Sequence, residues 1–197
     1  NTLMKSFGRQ DVDSETQRPF DIVIFGATGF TGALVAEYLN DEYSDISWAI
    51  AGRSQSKLDA VKQQLGVTEL PTIIADSDSA EDMTRLACQS RVIISTVGPY
   101  ARYGTTLLEA CAAEGTHYCD LTGEPQWMAS VFERVSDAAE ESGARLVHCC
   151  GFDSIPSDLG VFVAQNTMMK KYGHYAQSVS GRMGQSKGAV SGGTVAS

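Results

Sequence analysis

The chain has 197 residues, 43% hydrophobic and 20% charged, the make-up of one globular α/β domain and small for a complete two-domain enzyme. Fifteen basic residues against twenty-four acidic ones give a formal charge of -9, a surface that repels nucleic acid and anionic lipid, although local backbone dipoles can still hold a small anion. No apolar run is long enough to span a bilayer, no apolar signal segment opens the sequence, and five cysteines, with Cys149 and Cys150 adjacent, fit packed thiols better than a disulfide framework. The expected location is cytoplasmic, with peripheral membrane association of a longer protein left open.

Residues 1–18 are polar and aperiodic and predict a flexible tail. From Asp21 onward, short branched apolar runs alternate with helical patterns, the mark of a parallel sheet covered on both faces. Strands are predicted at 21–26, 47–51, 72–75, 91–96, 117–120 and 145–149. The first helix, 29–39, is expected to turn Phe30, Leu34, Val35, Tyr38 and Leu39 inward; the second, 55–65, Leu58, Val61 and Leu65. A third follows Ser77 or Asp78, with Asp78 and Glu81 spaced as a capping box, and packs through Met83, Leu86 and Ala87. A fourth (104–114) offers Leu107, Leu108 and Cys111, and a fifth (125–141) offers Met128, Val131, Phe132 and Val135, with Gly143 as its stop. Right-handed crossovers make this a doubly wound α/β fold, a Rossmann domain over 19–165. Residues 159–169 read as helical, and a short strand is possible near 177–182. The Gly/Ser-rich texture beyond predicts that 166–197 form a linker and the beginning of a truncated second domain.

Between the first strand and first helix stands FGATGFTG, residues 25–32. Gly26 lets the chain turn off the strand, Gly29 lets backbone approach a pyrophosphate at the helix N-terminus, and Gly32 brings the helix against the sheet. The loop residues Gly26, Ala27, Thr28, Gly29, Phe30, Thr31 and Gly32 are therefore cofactor-binding candidates. The spacing alone is weak; its place between strand and helix gives it force.

The second strand ends in AGRS, where an NAD-selective site would carry an acidic residue. Arg53 and Ser54 there suit a 2'-phosphate, with Lys57 a helper, so NADP is the expected cofactor and NAD the lesser alternative. Asp76 either caps the next helix, the favoured role, or approaches the adenine. Thr96, Val97, Gly98 and Pro99, after the fourth strand, are a candidate wall for the nicotinamide, and Tyr100 can stack or donate a bond there.

No tyrosine has a lysine four positions on, so the proton donor of short-chain dehydrogenases is missing. The clusters HYCDLTGE (117–124) and HCCGFDSIPSDLG (148–160) follow late strands and should emerge beside the cofactor. Asp120, Glu124, Asp153, Ser154 and Asp158 sit in them, where each is singly more apt to cap or turn than to move protons. Alternation of His117 with Cys119 and of His148 with Cys150 permits a zinc cluster in principle, but inward Cys and His at strand spacing are commonly core residues, and no metal site is expected.

These motifs, with STVGPYARYG (95–104) and KGAVSGGTVAS (187–197), resemble the saccharopine dehydrogenase-like oxidoreductases, including the trans-acting enoyl reductases. The resemblance implies an NAD(P)-dependent oxidoreductase with an N-terminal Rossmann domain and a following substrate or dimerisation domain, through which a homodimer can form. It implies hydride transfer to an imine, carbonyl or enoyl carbon of a small, in some cases lipid-like, substrate, with Tyr100, Asp120, Asp153 and Ser154 as candidate catalytic residues. The competing reading is an NADP-binding redox sensor that recruits a partner without turnover.

Overall fold

The computed structural model describes residues 18–184; the tail expected over 1–18, save its last residue, and KGAVSGGTVAS lie outside them. Elements run β1 (Phe20–Phe25), α1 (Phe30–Glu42), β2 (Trp48–Gly52), α2 (Gln55–Leu65), β3 (Thr72–Ile74), α3 (Ala80–Cys88) and β4 (Ser90–Ser95). Then follow α4 (Tyr100–Tyr103), α5 (Thr105–Glu114), β5 (His117–Asp120), α6 (Pro125–Ser142), β6 (Leu146–Val147) and α7 (Ile155–Tyr172). The six strands form one parallel sheet in the order β3-β2-β1-β4-β5-β6. The chain starts in the middle, winds outward through β2 and β3, then crosses back to β4, so the order reverses between β1 and β4, where a doubly wound sheet opens a crevice.

Alternation along the strands feeds two cores. Val23 and Phe25 of β1 join Ala49, Ala51, Ile93 and Tyr118 in packing under α3, α5 and α6, through Met83, Leu86, Leu107, Leu108, Trp127 and Val131. Ile24 and Ile50 face the other way, onto Ala36, Leu39, Leu58 and Val61 of α1 and α2. Period-two side chains covered on both faces are why these strands read as nearly continuous apolar runs.

The helices differ from expectation in ways that packing explains. In α1 the buried residues are Gly32, Ala36 and Leu39, while Phe30, Leu34 and Tyr38 are exposed. A Cβ on Gly32 would lie 2.3 Å from the Gly26 carbonyl oxygen, so this helix sits too close to the sheet for bulky residues on its inner line. In α6, Phe132 is likewise outside, and Trp127, Val131 and Val135 are inside. The cap of α3 is Ser79, whose Oγ accepts the Asp82 N–H at 3.2 Å, rather than Asp78. Gly143 does end α6 in the left-handed conformation.

β6 is cut to two residues because Cys149, at φ 61, turns the chain off the sheet. No strand forms over 177–182. The last described helix starts four residues earlier than expected, runs through residue 165 and buries none of its residues.

Candidate functional site

The carboxyl ends of β1, β2 and β4 enclose a cleft of about 220 Å³ lined by Gly26, Thr28, Gly29, Gly52, Arg53, Ser77, Thr96, Val97, Gly98 and Tyr103, with Phe25 at its base. Its floor is the glycine loop. Gly26 has φ 92, and a Cβ there would strike Thr96 Oγ1 and Val97 Cγ2 at 2.7 Å. Gly26 N–H donates to Ala51 O, the Gly29 N–H donates back to Gly26 O at 3.0 Å, and Gly29 caps α1 with no side chain serving the helix's leading amides. Those amides and the helix dipole make a positive ledge at the crevice. Ala27 is buried beneath the loop, whereas Thr28, Gly29 and Phe30 are exposed.

Arg53 stands exposed at the rim and forms no hydrogen bond or ion pair with another described residue, and no carboxylate lines the cleft. That chemistry fits a dinucleotide carrying a 2'-phosphate: amides for the pyrophosphate, a guanidinium for the extra phosphate, and no acid to repel it. Ser54 caps α2 without a side-chain bond to it, its hydroxyl lying 3.1 Å from Ser56 Oγ, and Lys57 is exposed one turn on. Asp76 stays out of the cleft; its Oδ1 accepts the Asp78 N–H at 3.1 Å, a turn role and not the helix cap expected of it. Ser77, Gly52 and Tyr103 escaped the sequence reading. Gly52 and Ser77 follow the same rule as Arg53, since both stand at or just past the carboxyl end of a strand.

Three expectations for the β4 loop are corrected. The Thr96 hydroxyl donates to the Phe25 and Gly26 carbonyls, 3.2 and 3.1 Å away, so it braces the glycine loop instead of offering itself to a ligand. Tyr100 points inward: it is 4% exposed, stacks on Trp127, donates to Ser95 O at 3.0 Å and receives the Leu121 N–H. Burial pushes its hydroxyl pKa upward. It is a wall of the core and not a proton donor at the surface. Pro99, joined to Gly98 by a cis peptide, precedes α4 and does not line the cleft.

On the far side of the α1 ledge a second cavity of about 430 Å³ runs between Phe30 and Thr31 of α1, residues 119–123 at the end of β5 and in the loop after it, and residues 150–154 after β6. The buried carboxylate of Asp120 organises it. Oδ2 meets His148 Nδ1 at 2.7 Å and the Tyr118 hydroxyl at 3.0 Å, while Oδ1 accepts the Thr122 and Cys149 N–H groups, each at 3.1 Å. With its lone pairs so engaged, Asp120 ties the β5 and β6 loops together. Glu124 does the same between loops, its two oxygens accepting the Tyr100 and Ala101 N–H groups at 2.7 and 2.9 Å. Asp153 is exposed and Ser154 half-buried at the start of α7, both on the cavity.

The two histidines of the candidate metal pairs are held by the fold. His117 Nδ1 accepts the Arg145 N–H, and His148 is held by Asp120. A larger cavity, about 500 Å³, lies at the opposite, amino end of the strands, among Phe20, Ile46, Trp48 and Leu70. Anion chemistry belongs at the carboxyl end, where the leading amides of α1 face the crevice.

Residues 22–147 match the family model described as the saccharopine dehydrogenase NADP binding domain. A protein of Mycobacterium tuberculosis H37Rv provisionally named a trans-acting enoyl reductase is 43% identical over 184 residues, 92% of this chain and 44% of its own length. The trans-acting enoyl reductase of Mycobacterium bovis BCG is 44% identical over 151 residues, 76% of this chain and 36% of its own. Among solved structures, apo saccharopine dehydrogenase (L-Glu forming) of Saccharomyces cerevisiae shares the fold at TM-score 0.58 and 16% identity, over 74% of this chain and 32% of that one. The chain thus spans less than half the length of these relatives. Its sheet order, glycine ledge and acid-free cleft accord with that match: the chain belongs to the saccharopine dehydrogenase NADP-binding domain family, and its cofactor is NADP.

Proposed function

We propose that this chain is the cofactor-binding part of an NADPH-dependent enoyl reductase. The observation that carries the reading is the pair of cavities flanking the α1 ledge: Thr28 and Gly29 belong to one, Phe30 and Thr31 to the other. A dinucleotide laid across that ledge puts its adenosine half beside Arg53 and its nicotinamide half in the second cavity. Gly26, Ala27, Thr28, Gly29 and Gly32 form the pyrophosphate cradle, Arg53 and Ser54 receive the 2'-phosphate, and Thr96 and Val97 brace the cradle at Gly26. When bound, NADPH supplies a hydride to an electron-poor carbon.

The chain's own contribution is alignment and exclusion of water. Asp120 and Glu124 hold the loops in place, and Asp153 and Ser154, which line the cavity with side chains bonded to no other described residue, contact the substrate. Val35, Ile94, Leu121 and Phe152 give the cavity an apolar lining suited to an acyl chain. The names of the relatives favour an enoyl group over an imine or a carbonyl. Leu159, Phe162 and Val163 stand exposed on α7, which supports starting the second unit at α7 and not at residue 166 as the sequence suggests.

The test is NADPH oxidation by the full-length protein against 2-enoyl thioesters, imines and aldehydes. Turnover confined to the enoyl compounds supports the reading; turnover of another class alone overturns the choice of substrate. Tight NADPH binding with no turnover in any class turns the reading into a sensor.

A further inference from the structure

Two thiols share the second cavity. Cys119 lies on β5 and Cys150 just beyond β6, and both line the cavity, whereas the Cys149 sulfur packs 3.5 Å from Met128 Sδ. The strands bring the two onto adjoining segments: β5 and β6 are parallel with Cys119 opposite Val147, and past the end of β6 the Cys150 N–H donates to Asp120 O, the residue after Cys119, at 2.7 Å. The chain leaves the sheet through the left-handed turn at Cys149, between the end of β6 and Cys150. Adjacent strands run about 4.8 Å apart, inside the Cα separation of about 4.4–6.8 Å that a disulfide spans. Cys150 is exposed, Cys119 half-buried and both are reduced.

We propose that Cys119 and Cys150 are an oxidisable thiol pair that closes as a disulfide across the second cavity and shuts out its ligand. The closure does not depend on the function proposed above, but its effect on NADPH binding rests on that reading. With a peroxide as oxidant, the Cys150 sulfur attacks one oxygen; the O–O bond breaks, water leaves and a sulfenic acid remains. The Cys119 sulfur then attacks the Cys150 sulfur; the S–O bond breaks and a second water leaves. The two thiols together give up two electrons and two protons, and one peroxide becomes two waters.

Burial, with the Asp120 carboxylate and the neighbouring thiols behind it, holds both thiols above their ordinary range, Cys119 at about 12. The pair is therefore slow to oxidise at neutral pH, and a disulfide between two such weakly acidic thiols is slowly, though fully, reopened by excess dithiol.

The experiment treats the full-length protein with hydrogen peroxide, maps non-reduced peptides by mass spectrometry and measures NADPH binding before and after. The expected result is a cross-linked pair of peptides carrying Cys119 and Cys150, lighter by two hydrogens, with NADPH affinity down by about tenfold or more and restored by dithiothreitol. Cys150→Ser and Cys119→Ser should each lose the cross-link and the response to peroxide, while Cys88→Ser, remote on α3, keeps both. Absence of that cross-link, or its presence with NADPH affinity unchanged, overturns the proposal. If the reduced protein binds no NADPH at all, the nucleotide reading fails, while the peptide map still decides whether the pair closes.

Discussion

On the proposed reading, Arg53 is the residue on which cofactor choice turns. Its guanidinium is exposed, sits at the rim of an acid-free cleft and has no described partner to release before it takes up a phosphate. Arg53→Ala should weaken NADPH by about tenfold, the value of one charge-assisted contact at an exposed site, and leave NADH nearly unchanged. Calorimetry with the two nucleotides reads the difference, and an equal loss for both would show that Arg53 acts through the fold. Gly32 tests the ledge itself. Gly32→Ala places a methyl against backbone atoms 2.3 and 2.8 Å away, which cannot yield like the tip of a side chain, and should cost about 1–3 kcal/mol by denaturant melts. Gly123→Ala, with nothing within 4 Å, is the neutral control. Arg53 and the glycines were legible because each is an exception, a charge where an acid is usual and small residues where bulk would pack. Tyr100 was not, since a tyrosine near a cofactor loop reads the same whether it faces the ligand or, as here, stacks on a tryptophan 27 positions away in sequence.

At the scale of elements, the sheet was readable and the helix faces less so. Branched apolar runs located all six strands, because strands buried on both sides have no polar alternation to blur them. The face of α1 was misread since periodicity counts bulk as inward, and contact with the glycine loop reverses that order, burying Gly32 and Ala36 and expelling Phe30, Leu34 and Tyr38. The β5–β6 pairing is the shortest in the sheet, and polar groups secure it. Asp120→Ala would strand the buried Tyr118 hydroxyl and two backbone N–H groups, and should destabilise the fold by about 3 kcal/mol, while Asp153→Ala, on an exposed side chain, changes it by less than about 0.5 kcal/mol. The same edge carries a pH dependence. His117 Nδ1 must stay unprotonated to accept the Arg145 N–H, and burial, helped by the nearby arginines, lowers its pKa. The unfolded chain therefore takes up this proton first as the pH falls. The stabilisation is complete above the ordinary histidine pKa of about 6.5 and fades as the pH drops through the lower folded value. Thermal melts across that window should lose part of their slope in His117→Gln.

For the molecule as a whole, polarity along the strand axis decides where chemistry happens. Parallel strands joined by helices put the leading amides of α1 and the most varied loops at one end of the sheet, and leave the larger apolar cavity at the other. With a net charge of -9, the chain attracts a nucleotide only where those local dipoles and Arg53 outweigh the general field. Added salt should therefore weaken NADPH binding by screening Arg53, yet only modestly, because the long-range field it screens at the same time is repulsive. The fold places α7 outside this economy: none of its residues is buried, and Leu159, Phe162 and Val163 face outward. In the 197-residue chain, replacing those three with serine should leave the melting free energy within about 1 kcal/mol and the NADPH affinity unchanged, while reducing self-association seen by sedimentation. The same substitutions in the full-length protein should cost several-fold more stability if the rest of the protein packs on α7. Equal, small effects in both would mean that α7 stays solvated and that the second unit docks elsewhere.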